Sequence, residues 1–288
     1  MLPDGMPGPE VELCPGRSVG PAHPVFVIAE IGQNHQGDPA IARQLITAAA
    51  RAGADCVKLQ KSSLPDKFTA GALARPYSGP HSWGATYGEH KAHLELSEQQ
   101  YRDLKCHAKE EGIAFTASAM DSVSAAFLHQ LDVPFIKVGS GDANNLPLMR
   151  EIAERGRPMV VSTGMCGMSW VRTLHSTLSR QATPLVLLQC TSSYPARPAN
   201  CNLRVLQTYR TEFPNTVLGY SGHEEGVAIS LAAASLGAAV IELVPIKIFS
   251  YYYLFIFFCE NLNLTDQTNY EQNQTNQIKP KPNQTKFN

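Results

Sequence analysis

The sequence has no surplus of basic residues: 24 Lys and Arg stand against 25 Asp and Glu, for a formal charge of -1. Nucleic acid therefore has no broad positive field to bind, and any anionic ligand must be met by a local cluster. Cysteine is sparse and unpatterned. Its seven copies (Cys14, Cys56, Cys106, Cys166, Cys190, Cys201 and Cys259) are odd in number and never spaced C-x-x-C, which argues against a disulfide framework or a zinc site and for a reducing compartment. The motifs G-x-x-x-x-G-K-[ST] and H-E-x-x-H are absent, so P-loop and zincin chemistry lack support. The opening stretch, MLPDGMPGPEVELCPGR, carries acids and prolines where a signal peptide needs a basic start and an apolar run. A cytoplasmic protein is expected.

Long apolar runs are scarce as well. The aromatic stretch IKIFSYYYLFIFFC (246–259) includes Lys247 and falls short of the ~20 apolar residues that span a bilayer, so it reads as β-prone and aggregation-prone rather than as a membrane helix. It lies just past an abrupt change of composition near residue 244. Beyond it, 260–288 is mostly Asn, Gln, Thr and Lys, too poor in apolar groups to offset the entropy of ordering, and is expected to be disordered. Its N-x-T words at Asn263, Asn273 and Asn283 matter only in a secreted protein. The chain thus divides into an N-terminal extension (1–22), a globular unit (23–244), an aromatic segment (245–259) and a polar tail (260–288).

Within the globular unit, strand-like and helix-like stretches alternate. The β-rich runs are VFVIAEI (25–31), DCVKLQ (55–60), IAFTAS (113–118), PFIKVGS (134–140), PMVVSTG (158–164), PLVLLQCT (184–191), TVLGYSGH (216–223) and AAVIELV (238–244). Helical signals fill the gaps: Asp38-Pro39 is an N-cap with proline at the first helical position, Ser97-x-x-Gln100 is a capping box, and Glu224 to Gly237 reads as a helix closed by glycine. Eight strands at a mean spacing of about 30 residues predict a (β/α)8 TIM barrel, with a doubly wound open sheet as the alternative. One connection, 61–96, is oversized, and its HSWGATYGEH is expected to form a lid over one barrel mouth.

A barrel carries its function at the C-terminal ends of its strands. Lys58 and Gln60 are two apart and share the inward face of their strand. Lys137 and Ser140 close the fourth strand, Thr116 and Ser118 the third, Ser162 and Thr163 the fifth, Thr191 and Ser192 the sixth, and Ser221 and His223 the seventh. Two ammonium groups with a ring of hydroxyls make an anion pocket suited to phosphate. A strand-end Ser or Thr by itself is usually a turn residue, but an inward Lys is costly to bury without an anion. Gly139, Gly141 and Gly164 would let backbone approach a ligand. Glu30 ends an otherwise apolar strand, either as an ion-pair partner or as a catalytic carboxylate, and His35 and His223 are candidates to bind a metal or move a proton.

Seven stretches carry a family pattern: FVIAEIGQNHQGD (26–38), GADCVKLQK (53–61), HSWGATYGEHKAHLE (81–95), FIKVGSGDANNLP (135–147), RPMVVSTGM (157–165), LLQCTSSYP (187–195) and LGYSGHEEG (218–226). Over roughly 10–242 the chain resembles the sialic acid synthase family, its animal branch most closely. The resemblance implies a (β/α)8 barrel that condenses phosphoenolpyruvate with N-acetylmannosamine 6-phosphate, or with N-acetylmannosamine as in bacterial relatives. It also implies a divalent metal (manganese or magnesium), a homodimer, and a C-terminal antifreeze-like domain that caps the partner's site. By position, Lys58, Thr116, Lys137, Ser140, Ser162 and Ser221 match the family's phosphoenolpyruvate contacts. Gln60 and Asp142 match positions near the substrates, Tyr194 an aromatic near the sugar, Glu30 the carboxylate beside the reacting carbon, and His223 one of two metal-binding histidines.

The chain departs from the pattern in its eighth strand, where relatives read Glu-Arg-His and this sequence reads Glu242-Leu243-Val244. The second metal histidine is replaced, and the eighth helix, a sugar-binding acid and the antifreeze-like domain are not recognisable after it. The departure coincides with the change of composition, as a retained intron or faulty gene model would produce, and sequencing the transcript tests that origin. Two other functions fit: a catalytically dead isoform or by-product, and a different phosphoenolpyruvate-aldose synthase such as the 3-deoxy-octulosonate phosphate enzymes.

Overall fold

A computed structural model describes residues 8–243. Val244, the aromatic segment, the polar tail and residues 1–7 lie outside the described residues, and with them the expectations made for the C-terminal part of the chain. Eight parallel strands close into a barrel: β3 (Phe26–Gly32), β4 (Cys56–Lys61), β5 (Ala114–Ala119), β6 (Ile136–Val138), β7 (Met159–Ser162), β8 (Leu185–Cys190), β9 (Val217–Gly222) and β10 (Val240–Leu243). The expected TIM barrel is the observed fold, and the open sheet is excluded because β10 pairs with both β9 and β3. β6 is shorter than its sequence run, because residues 139–145 turn away into a loop that ends in the Asn145 N-cap of the next helix.

The helices are α1 (Pro39–Arg51), α2 (Leu64–Lys67), α3 (Ala70–Leu73), α4 (Tyr87–Leu94), α5 (Glu98–Glu110), α6 (Ser122–Gln130), α7 (Leu146–Glu154), α8 (Met168–Ser179), α9 (Val205–Glu212) and α10 (Ala228–Ser235). Two starts obey the sequence signals: the Asp38 side chain accepts from the Ala40 amide, and Ser97 with Gln100 forms a complete capping box. The seventh barrel helix starts later than expected. Glu224 is drawn inward instead, accepting from the Tyr220 and Ser230 hydroxyls at 2.9 Å each, and α10 begins only at Ala228.

Inside the barrel, side chains stack in layers, as two-residue strand periodicity requires. The lower layers are apolar, with Phe26, Ile28, Phe135, Val160, Val186, Leu188, Val217 and Val240 in one buried cluster. A hairpin unforeseen in the sequence closes their floor. β1 (Val11–Cys14) and β2 (Arg17–Val19) pair antiparallel and contribute buried Leu13 and Val19 to the same cluster. The Arg17 guanidinium reaches Asp55 at 3.2 Å, whose other oxygen accepts the Val27 amide at 2.7 Å, so the plug is tied to the first two barrel strands.

Candidate active site

The layer above the apolar floor is charged. Glu30, Lys58, Lys137 and Glu242 all point inward from their strands and are buried. Lys58 Nζ forms an ion pair with Glu30, lies 3.8 Å from Glu242 Oε2, and donates to Ser118 Oγ at 3.0 Å. Lys137 Nζ lies 3.6 Å from Glu242 Oε1 and donates to Ser162 Oγ at 2.8 Å and to the Val138 carbonyl at 3.1 Å. Ser221 donates to Glu242 at 2.9 Å, and Gln60 donates to Glu30 at 3.1 Å. Two ammoniums and two carboxylates therefore balance one another. Bare burial of two like charges this close would be prohibitive, and each acid offsets that cost.

The balance is uneven in proton affinity. Burial pushes the Glu30 carboxyl up, against the pull of Lys58. Burial acts on Glu242 in the same sense, but Lys137 and Lys58 outweigh it and hold that carboxyl below its ordinary value. Burial lowers the Lys137 ammonium despite Glu242, whereas Lys58, opposed by the same burial, is held up by Glu242 and Glu30. Glu30 is thus the carboxylate readiest to take a proton, and Glu242 is the fixed counter-charge. Glu242 was not among the residues expected from the sequence. The signal was there: an acid flanked by Val240, Ile241 and Leu243, the same pattern that marked Glu30.

This layer forms the bottom of a cavity of about 900 Å3 at the C-terminal mouth. Of the expected residues, Glu30, Lys58, Gln60, Lys137, Ser140, Asp142, Ser162, Tyr194, Ser221 and His223 all line it. Thr116 does not; it sits deeper, fully buried, and donates to the Phe135 carbonyl at 2.6 Å. Ser140 accepts from the Gly164 amide at 3.0 Å. Asp142 pairs with Lys67 of α2 at 3.1 Å, which joins the lid to the loop after β6. The lid expectation holds: Lys67, Phe68, Tyr77, His81, Tyr87, His90, Lys91 and Leu94 of the 61–96 connection form the upper wall.

Of the three glycines expected to admit a ligand, Gly139 and Gly141 face open space, but Gly164 packs against the Cys190 backbone and the Ser192 side chain. His35 is also reassigned. It is buried in the loop after β3, where its Nδ1 accepts from the Gly37 amide at 3.0 Å, and it is outside the cavity lining. Burial pulls its pKa down to about 4, so it is a neutral structural acceptor rather than a proton carrier.

His223 does face the cavity. Its Nδ1 lies 3.0 Å from the Thr191 carbonyl and its Nε2 lies 2.9 Å from the Tyr194 hydroxyl, with the two rings 4.1 Å apart. A carbonyl can only accept, so Nδ1 carries a proton; burial opposes a second proton on the ring, but Cys190 and the Thr191 carbonyl outweigh it and raise the His223 pKa, and in the neutral ring Nε2 accepts from the Tyr194 hydroxyl. That nitrogen suits a metal ion, but the rest of a ligand set is lacking. Among the described residues no group of three or more His, Cys, Asp and Glu is placed to hold a cation. The described donors do not fit a firmly held divalent metal.

Comparison with known proteins places this barrel among relatives. The chain is 55% identical over 233 residues to the N-acetylneuraminate-9-phosphate synthase of Homo sapiens, a match covering 81% of this chain and 65% of the human enzyme; the chain therefore spans less than two-thirds of that relative. The structure of the spore coat polysaccharide biosynthesis protein SpsE from Bacillus subtilis superposes with a TM-score of 0.73 at 27% identity, over 94% of this chain and 75% of that one. The N-acetylneuraminic acid synthetase of Leptospira borgpetersenii, in complex with citrate, shares the fold with a TM-score of 0.77 at 24% identity, over 94% of this chain and 98% of that one. The NeuB family pattern matches residues 45–243. With more than half of its residues in that match, the chain belongs to the NeuB family.

Proposed function

We propose that this mouth binds phosphoenolpyruvate and condenses it with N-acetylmannosamine 6-phosphate to give N-acetylneuraminate 9-phosphate and inorganic phosphate. The observation that carries the reading is the pair of buried ammoniums, Lys58 and Lys137, held at the bottom of one cavity by Glu30 and Glu242. Sialic acid synthesis as the setting draws on the human relative, the homodimer and the metal on the sequence resemblance, and the cytoplasmic location on the scattered, unpatterned cysteines. No helix among the described residues is long and apolar enough to cross a membrane.

In this reading the lysines take the phosphate, and Ser140, Ser162 and Ser221 donate hydroxyl hydrogen bonds around it. An anion arriving beside Lys58 competes with Glu30 for that ammonium. Glu30, already raised by burial, then takes or gives the proton that the condensation moves. Gln60 holds Glu30 in place through its amide. Tyr194 and the lid aromatics make the apolar wall against which a sugar ring stacks.

A second reading concerns rate, and it rests on the donor set. A divalent cation in such a site would polarise the sugar aldehyde, yet His223 is the one imidazole that lines the described cavity besides those of the lid, and Val244 stands at the other position expected of a ligand. We infer that the chain keeps phosphoenolpyruvate binding and is a poor synthase, down on the order of a thousandfold if ~4 kcal/mol of transition-state stabilisation is lost. The test is a synthase assay on the purified 288-residue chain with saturating manganese or magnesium, beside the human enzyme. Turnover within tenfold of that enzyme contradicts the impairment. Acceptance of arabinose 5-phosphate in place of N-acetylmannosamine 6-phosphate contradicts the substrate.

A further inference from the structure

The lysines that line the cavity are not equally satisfied. Lys58 and Lys137 are balanced by Glu30 and Glu242, and Lys67 by Asp142. Lys91 is the exception among the described residues: no carboxylate lies within ion-pair distance of it, and its ammonium donates to a neutral amide, Gln33 Oε1, at 3.0 Å. Of the two acids near it along the chain, Glu89 caps the start of α4 by accepting from the Ala85 and Thr86 amides, and Glu95 is engaged by Lys61 at 3.2 Å and by the Ser62 hydroxyl. Lys91 is half-buried, and burial pulls its ammonium below the ordinary lysine range. Glu95 offsets this only from beyond ion-pair distance, and a desolvated cation without a close counter-charge is costly unless an anion arrives to meet it.

The lid is built to aim this group inward. α4 starts from a complete capping box between Thr86 and Glu89, and its residues Tyr87, His90, Lys91 and Leu94, spaced i, i+3, i+4 and i+7, all line the cavity. Such spacing puts them on one helical face. Tyr77 packs on both Tyr87 and His90, at 5.4 and 4.7 Å between ring centroids, and fixes the helix against the rest of the lid. Lys91 therefore faces the same volume as the inner lysine pair, but from the roof.

We propose that Lys91 binds the phosphomonoester of a phosphorylated sugar, making the cavity a site for two anions: one on the floor, held by Lys58 and Lys137, and one under the lid. This assignment rests on the phosphoenolpyruvate reading of the floor and extends it to the second substrate. It makes Lys91 the residue that separates a sugar phosphate from the free sugar. His81 and His90, which also line the cavity from the lid, lie on the same wall.

Calorimetry on the full chain loaded with phosphoenolpyruvate tests it, using N-acetylmannosamine 6-phosphate and N-acetylmannosamine as probes. The wild type should prefer the phosphorylated sugar by at least tenfold, Lys91→Met should abolish that preference, and Lys91→Arg should keep it within threefold. Phosphoenolpyruvate affinity should stay within twofold in both variants. A preference that persists in Lys91→Met overturns the proposal, as does an equal loss for both sugars, which would mean that Lys91 only fastens the lid to Gln33. A wild type that binds phosphoenolpyruvate but not the sugar phosphate also overturns it, and leaves the floor assignment standing. A folded wild type that binds neither removes the floor reading and this inference together.

Discussion

Replacing Lys137 by Met removes the ammonium most deeply placed in the site while keeping most of the side-chain volume. If that group is a desolvated partner of the phosphate, truncating it costs on the order of 2–5 kcal/mol of binding, or roughly 30- to 5000-fold in Kd. The same change leaves Glu242, 3.6 Å away, with one cation fewer, and breaking a buried pair costs about 3–5 kcal/mol of stability. The single variant is therefore expected to be both weak in binding and less stable. The double variant Lys137→Met/Glu242→Gln separates the two effects, because the glutamine oxygen can still accept from Ser221 while the excess negative charge is gone. Its melting temperature should recover most of the loss, and phosphoenolpyruvate affinity should not. Isothermal titration of both variants with phosphoenolpyruvate, beside a thermal melt, reads the two quantities. Wild-type affinity in a folded double variant would refute the assignment of Lys137 to the phosphate.

Proton linkage gives a second expectation: a polyanion beside Glu30 raises its pKa further, so phosphoenolpyruvate binding should take up protons and weaken as pH rises. Titrations in buffers of different ionisation enthalpy should show uptake in the wild type and less in Glu30→Gln; equal uptake in both removes Glu30 from the linkage. His35 is neutral in the folded chain, with a pKa of about 4, while an unfolded histidine protonates near 6.5. Its contribution to stability is complete above pH ~6.5 and is lost as the pH falls toward 4, on the order of 3 kcal/mol over that window. Denaturation of His35→Asn, which can still accept the Gly37 amide, should show a smaller decline between pH 7 and 5 than the wild type; parallel curves would contradict this. Gly37 has φ +82°, and a β-carbon there would collide with the His93 carbonyl of the lid. Gly37→Ala should therefore destabilise the chain by more than ~1 kcal/mol, and a melting temperature unchanged within a degree would show that the loop and lid are not packed as described. Val244→His, which supplies the imidazole expected at that position, should raise manganese-dependent turnover at least tenfold, and no gain would mean that the second histidine is not what limits this chain.

The barrel was readable because each of its strands is a short β-rich run bounded by polar turns, and the cavity because Lys58, Gln60 and Lys137 are polar residues on inward-facing positions of otherwise apolar strands. Glu242 is hard to read from the sequence for a local reason: it lies beside the point where composition changes, and the valine in place of a histidine two residues later is the louder signal of that strand. The partnership of Asp142 with Lys67 joins residues 75 apart, so no local pattern could announce it. The hairpin of β1 and β2 was hidden by brevity. Its cue is the Pro15-Gly16 turn, with Gly16 at φ +77°, between Leu13 and Val19, two apolar residues that only the closed barrel explains. His35 misled because a histidine in a glycine-rich loop after a strand looks the same in sequence whether it faces the ligand or its own backbone; burial decides, and burial is a tertiary property.

A crystal structure of the chain grown with phosphoenolpyruvate would test the assignment of the cavity floor most directly. The phosphate should lie within hydrogen-bond reach of both Lys58 and Lys137, with Ser140, Ser162 and Ser221 around it and Glu30 beside the enol carbon. At saturating ligand, a cavity floor still closed by the Lys58–Glu30 and Lys137–Glu242 pairs, with phosphoenolpyruvate bound elsewhere or not at all, would contradict it.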